Sequence, residues 1–200
     1  MRTLIVFSHP DKTSLTHAVA ERIAEAVRTE DPAHEVEIAD LAAAGFDPRW
    51  SAADIAAYRK EAPAPADVAA EQARLDRTDT LVLVYPVYWW SMPGQLKGWI
   101  DRVFNNGWAY DERPDGSAAK LLVRLKVRLV AIGAADEGVY RRHGYAEAMR
   151  IQIDHGMFDY CGAPVLSSTL LVPDGAPYPA SALERAGEIG RQIAGAAVPA

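Results

Sequence analysis

Cysteine is nearly absent from this 200-residue chain: Cys161 stands alone. No internal disulfide can form, and a reducing, cytoplasmic setting is the expected one. Long apolar runs are missing too. The run after Arg2 stops at Phe7, too short for a signal-peptide core or a membrane span, so no membrane insertion is expected. There is no basic excess. Lys and Arg number 21 against 27 Asp and Glu, a net charge of −6, which argues against nonspecific attraction to nucleic acid. Neither G-x-G-x-x-G nor a P-loop occurs, which leaves no support for a dinucleotide-binding Rossmann motif or a nucleoside triphosphatase. His9, His17, His34, His143 and His155 lack clustered ligand spacing, so no metal site is expected.

What is present fits one globular domain over residues 1–200. Half of the residues are apolar and 24% are charged, enough to bury a core without crosslinks. Short β-branched or aliphatic runs, TLIVFS (3–8), TLVLVY (80–85) and VRLVAI (127–132), read as buried strands. EVEIAD (35–40) alternates as an edge strand does, and Val165–Leu171 is the last of five. Between them lie helical stretches: Thr13 or Ser14 to about Thr29, Asp67–Arg77, Gly94 to about Phe104, Tyr145–Tyr160 and Ser181–Ala194. The Ala- and Pro-rich segment 41–66, with a short helix near Ala52–Tyr58, reads as an insertion over one face. Strands alternating with helices predict a doubly wound α/β sheet, parallel, with helices on both faces.

Such a sheet binds its ligand at the carboxyl ends of the strands, at the switch in strand order. Three loops meet there. The first, His9–His17, runs into a helix N-terminus, where free N–H groups and the helix dipole suit an anion. Thr13, Ser14 and Thr16 add hydroxyls and His9 an imidazole; an ordinary N-cap beside a surface histidine is the even alternative. The second, YPVYWWSMP, sets Tyr88, Trp89 and Trp90 past the end of a buried strand, where rings can pack on a flat ligand. The third follows Gly133, which permits close backbone approach, and offers Tyr140 and His143 as a hydroxyl and an imidazole. Cys161 sits in an apolar context and reads as a core residue rather than a nucleophile. Phosphoacceptor signalling domains share the architecture, but they need carboxylates where Ser8-His9 and Tyr85-Pro86 stand.

The segments SHPDKTSLTHA, AYRKEAPAPADVAAEQARLD, YPVYWWSMPGQLKGWIDRVFNNGWAY and FDYCGAPVL resemble the DT-diaphorase type of quinone reductase, a flavodoxin-like family, over nearly the whole chain. Potassium-efflux ancillary reductases share the pattern. The resemblance implies a flavodoxin-like five-stranded parallel sheet, a flavin (FAD, with FMN the alternative), NAD(P)H as co-substrate and two-electron reduction of a quinone-like acceptor. It also implies a homodimer with active sites across the interface. Carried over by position, His9, Thr13, Ser14, Leu15 and Thr16 hold the flavin phosphates and ribityl chain. Pro86, Val87, Tyr88, Trp89 and Trp90 line the isoalloxazine, and Asp101 matches an acidic cofactor contact. Ile132, Gly133 and Ala134 supply backbone contacts to the ring's polar edge. Tyr140 matches the tyrosine that stabilises the reduced cofactor, and His143 is the candidate proton relay. Trp108 and Tyr110 look like aromatics lent to the partner's substrate pocket. Asp136 and Glu137 depart from the family's glycine-rich third loop, and His143 follows Tyr140 more closely than the matching histidine does in the animal enzymes. A one-electron flavodoxin-type carrier and a transporter-docking regulatory subunit are the rival expectations.

Overall fold

The computed structural model describes residues 1–173, 175 and 177–196. In chain order the first half runs β1 (Arg2–Phe7), α1 (Leu15–Glu30), β2 (Glu35–Asp40), α2 (Ala52–Tyr58), α3 (Ala66–Asp76), β3 (Thr80–Pro86) and α4 (Gly94–Val103). The second half runs β4 (Tyr110–Glu112), β5 (Ala118–Lys120), β6 (Lys126–Ile132), α5 (Glu137–Arg142), α6 (Tyr145–Met149), a π-helical turn (Arg150–Asp159), β7 (Val165–Leu171) and α7 (Ala180–Ala194).

Five of the strands form one parallel sheet in the order β2-β1-β3-β6-β7. The chain switches direction across the sheet between β1 and β3, which leaves a crevice at their carboxyl ends. β1 and β3 lie in register, Leu4 beside Leu81 and Val6 beside Leu83. All four side chains are fully buried, which is why both strands read as unbroken apolar runs. β2 at the edge alternates instead. β4 and β5 make a separate antiparallel ribbon.

Each face of the sheet has its own core. On one, α1 and α7 pack Val19, Ile23, Ile189 and Ile193 against Ile5, Val82 and Val130. On the other, α3, α4 and the π-helical turn pack Leu75, Trp99, Val103 and Phe158 against Leu4, Leu83 and Leu129. Burying one such side chain contributes about 1.5–3 kcal/mol. The segment 41–66 lies over α4, as its composition suggests, and is held there by Arg102. That guanidinium, 5% exposed, meets Asp54 at 2.9 Å and Asp67 at 2.6 Å and donates to the Asp47 carbonyl. Gly98 completes the fit: a Cβ there would lie 2.4 Å from the Cβ of Pro48. Among the described residues no helix is long and apolar enough to cross a membrane.

Candidate functional site

β1 delivers the first loop to the crevice. Ser8 at its end donates to Gln95 Oε1 at 2.6 Å, and Gln95 donates to the carbonyls of Leu41 and Phe46. One side chain at the start of α4 thus ties the end of β1 to the segment that follows β2. Ser14 is the N-cap of α1, so Leu15 and Thr16, the first helical residues, have no carbonyl one turn earlier to receive their N–H groups. Thr13 is folded back: its N–H and hydroxyl both reach Asp11 Oδ1, at 2.8 and 2.7 Å. His9 Nδ1 lies 3.1 Å from both the N–H and the carbonyl oxygen of Asp11. Thr16 is buried.

The second loop is a tight turn. The N–H of Tyr88 donates to the Ser91 carbonyl and the N–H of Ser91 to the Tyr88 carbonyl, both at 3.0 Å. The two residues between them, Trp89 and Trp90, have φ of 50° and 60°. Turns of this kind normally take Asn-Gly or Gly, and a bulky residue at positive φ is strained by about 1–3 kcal/mol. The consequence is a pair of indoles sent in different directions. Trp89 is 93% exposed, whereas Trp90 turns inward and stacks on Tyr145 with centroids 3.5 Å apart. Pro86 and Val87 bridge strand and turn, and the Val87 N–H is taken by the Ile132 carbonyl at 2.8 Å.

The third loop leaves β6 at Gly133, whose N–H donates to the Leu171 carbonyl at 2.8 Å. The N–H of Gly133 and the carbonyl of Ile132 are therefore engaged within the sheet. Gly133 is buried, and exposed backbone starts at Ala134. Tyr140 folds back over this point. It is 2% exposed, and its hydroxyl oxygen lies 2.3 Å from where a Cβ on residue 133 would stand. Burial, with a smaller contribution from Tyr178, raises the Tyr140 pKa, so the hydroxyl keeps its proton as a donor. Trp90 meets the Tyr140 ring edge-on at 5.4 Å. A cleft of about 870 Å³, lined in part by Tyr140, opens between α5, α6, β7 and α7. His143, exposed at the end of α5, has Tyr145 as its aromatic neighbour at 5.2 Å.

Asp101, Tyr110 and Trp108 stand apart from these loops. Asp101 pairs with Lys97 at 2.5 Å and, with Tyr110, lines a cavity of about 410 Å³ between α2, α4 and the end of the π-helical turn. Half-exposed Trp50 and Tyr160 flank it. Burial pushes the Tyr110 hydroxyl up to about 12. Trp108 does not line that cavity; it donates to Asp76 at 3.3 Å and meets Phe104 edge-on. Cys161 is buried at the cavity floor, and burial pushes its thiol up to about 11, which keeps it out of nucleophilic chemistry.

The profile of proteins with the flavodoxin-like fold matches residues 1–189. The NAD(P)H dehydrogenase [quinone] 1 of Cavia porcellus is 30% identical over 189 residues, covering 84% of this chain and 67% of its own. The chain belongs to the flavodoxin-like NAD(P)H dehydrogenase (quinone) family. An uncharacterized NAD(P)H oxidoreductase of Haemophilus influenzae is also 30% identical, over 163 residues, with 81% of this chain and 79% of its own covered. Among solved structures, the NAD(P)H:quinone oxidoreductase from Methanothermobacter marburgensis superposes with a TM-score of 0.82 at 26% identity, over 96% of this chain and 98% of that one. The family resemblance carried by YPVYWWSMPGQLKGW is thus borne out. Sequence patterning had not pointed to Gln95, Tyr145 or Tyr160; the only signal for the last two was aromatic character in segments read as plain helix.

Proposed function

We propose that the chain is a cytoplasmic flavin-dependent NAD(P)H oxidoreductase that reduces quinones or similar acceptors by two electrons, as a single domain over residues 1–200 that works as a homodimer. The observation that carries this reading is the strained Tyr88–Ser91 turn. It presents an aromatic surface across the β1/β3 switch from the open N-terminus of α1. The donor set fits a flavin: backbone N–H groups for phosphate at Leu15 and Thr16, a broad aromatic edge, and a protonated phenol with exposed backbone at Ala134 for a polar ring edge.

When bound, the flavin supplies the ring that accepts and returns hydride. The chain's own residues bind and orient. The first turn of α1 holds phosphate with help from His9, while the hydroxyl of Thr13 keeps the loop folded on Asp11. Tyr88, Trp89 and Trp90, continuing from Pro86 and Val87, exclude water from one edge of the pocket. Tyr140 holds its proton where negative charge develops on hydride transfer, and it does so from a preorganised position. His143 packs on Tyr145 at the rim and is assigned no proton transfer.

Asp101 and Tyr110 line the second cavity, and we assign them to the partner's pocket across the dimer. Trp50 and Tyr160 at its mouth, each 45% exposed, support an interface there. One pocket serving both substrates in turn requires parallel double-reciprocal lines when NADH and a benzoquinone are varied together. Intersecting lines would mean that both substrates bind at once and would remove the shared pocket.

A further inference from the structure

The third loop borders a second space, the cleft of about 870 Å³ between α5, α6, β7 and α7. Its volume is that of a small-molecule pocket. Two of the side chains that line it, Tyr140 and Val172, are the ones packed against Gly133. Tyr140 also meets Trp90 edge-on. One buried ring therefore serves both the cleft and the aromatic turn.

The chain is acidic, with a net charge of −6, yet Arg141, Arg150 and Arg185 all line this cleft, against Glu137 and Glu147. The arginines are not equally free. Arg150 grips both oxygens of Glu147, at 2.7 and 2.8 Å. Arg185 donates to Glu188 at 2.5 Å. Arg141 alone of the three has no carboxylate partner among the described residues. It follows Tyr140 in α5, so the buried phenol and the unpaired guanidinium stand on consecutive residues. A guanidinium presents a rigid fork of donors that matches a phosphate. Glu137, one turn earlier, offers a carboxylate that can accept from a sugar hydroxyl. Together they suit a phosphorylated sugar. A quinone has no group for either.

We propose that the cleft takes the adenosine end of the nicotinamide coenzyme and that Arg141 holds its 2′-phosphate, so that the chain prefers NADPH to NADH. This rests on the flavin and nicotinamide reading proposed above. With hydride delivered beside the third loop, the remainder of the coenzyme needs a path that leads away from Gly133. The cleft starts at the side chains packed on that glycine and carries the unpaired cation. Charge complementarity sets the direction of the preference, because NADPH brings an anionic group that NADH lacks. Arg141 acts on the end of the coenzyme remote from hydride transfer. The preference therefore lies in binding and leaves the rate of the chemical step alone. NADH still reduces the flavin when it is supplied in excess.

Anaerobic stopped-flow reduction of the flavin-loaded full chain gives a limiting rate and a half-saturating concentration for each nucleotide. The expected half-saturating concentration is roughly tenfold lower for NADPH, with similar limiting rates. Arg141→Ala raises the NADPH value by roughly tenfold and leaves the NADH value in place. Arg141→Lys keeps the charge without the fork and recovers part of the loss. Arg142→Ala removes the same charge from the next residue, which does not line the cleft, and keeps the preference. Adenosine 2′,5′-bisphosphate competes with NADPH in the wild type and competes poorly in Arg141→Ala. Equal half-saturation by both nucleotides, a preference for NADH, an Arg141→Ala variant that treats both nucleotides as the wild type does, or an equal loss in Arg142→Ala overturns this inference and leaves the flavin reading standing. A bound flavin that neither nucleotide reduces overturns both.

Discussion

Trp90 lies face to face with Tyr145, ring centroids 3.5 Å apart and planes 13° from parallel. The contact joins the second loop to the helix that follows the third, and it holds one of two tryptophans whose backbone is at positive φ. Stacking of this kind contributes about 0.5–1.5 kcal/mol beyond the area it buries, which offsets part of the strain in the turn. Tyr145→Ala should release Trp90, abolish the near-ultraviolet circular dichroism of the stacked pair and raise the KM for the acceptor. Tyr145→Phe should restore both. An alanine variant with an unaltered aromatic spectrum would show that the stack does not set the turn.

Tyr140 sets a buried hydroxyl against Gly133, with its proton held by desolvation. Tyr140→Phe should slow reduction of the bound flavin by NADH by roughly one to two orders of magnitude, the range for removal of a preorganised donor. Flavin content should stay unchanged. Stopped-flow measurement decides the matter, and an unaltered rate would assign Tyr140 to packing alone.

Gly133 cannot take a side chain as the loop stands. A Cβ would meet Tyr140 Oη at 2.3 Å and Val172 Cγ1 at 2.9 Å. Gly133→Ala should cost about 1–3 kcal/mol through overpacking and displace Tyr140, so that slow flavin reduction and a lowered melting temperature appear together. A variant as stable and as fast as the wild type would mean that the third loop yields freely.

Much of this was legible in the sequence because the parallel sheet is buried on both faces. TLIVFS and TLVLVY have no polar face to turn outward, so central position follows from composition, and β1 and β3 do lie in the middle of the sheet. The capping residue of α1 resolves to Ser14, one of two that the sequence allowed. Three features were not legible. β4 and β5 are three residues each, too short for any period to emerge. Residues 145–160 read as one helix, yet the hydrogen bonding from Arg150 to Asp159 widens to a π-helix, a change that leaves no mark on apolar spacing. The third loop carries α5, hidden because a stretch with Gly138 and two acidic residues reads as a turn.

The site shows the same division. The strand order sets the three loops at the carboxyl ends of β1, β3 and β6, as topology demands, and Tyr140 touches both Gly133 and Trp90. Side-chain direction is set by contacts no pattern records. Trp108 donates to Asp76 and does not line the cavity that Tyr110 lines, and Leu171 engages the Gly133 N–H that was expected to face the ligand.

His34 gives the fold a pH dependence of its own. Its side chain is fully buried between α1 and β2, with Nε2 against Thr3 Oγ1 at 2.9 Å and Nδ1 without a partner. Burial lowers its pKa, helped by the positive N-terminus and opposed by Asp31 and Asp79. The unfolded chain therefore takes up this proton first, near the ordinary histidine value of about 6.5. Stability contributed by neutral His34 is complete above that value and declines as pH falls toward the lower folded-state pKa, by at most about 1.4 kcal/mol per pH unit. Urea unfolding between pH 7.5 and 5 should show this slope, and His34→Gln should flatten it. An equal slope in the variant would place the proton elsewhere.

The account rests on a flavin at the β1/β3 crevice that a nicotinamide can reduce. The most direct test incubates the purified chain with FAD or FMN, removes the excess, and records the visible spectrum without air before and after adding NADH or NADPH. The expected result is retained flavin absorption in the blue that bleaches within seconds of adding either nucleotide and returns on adding a quinone. A chain that retains neither flavin, or one whose bound flavin neither nucleotide bleaches, would contradict the account.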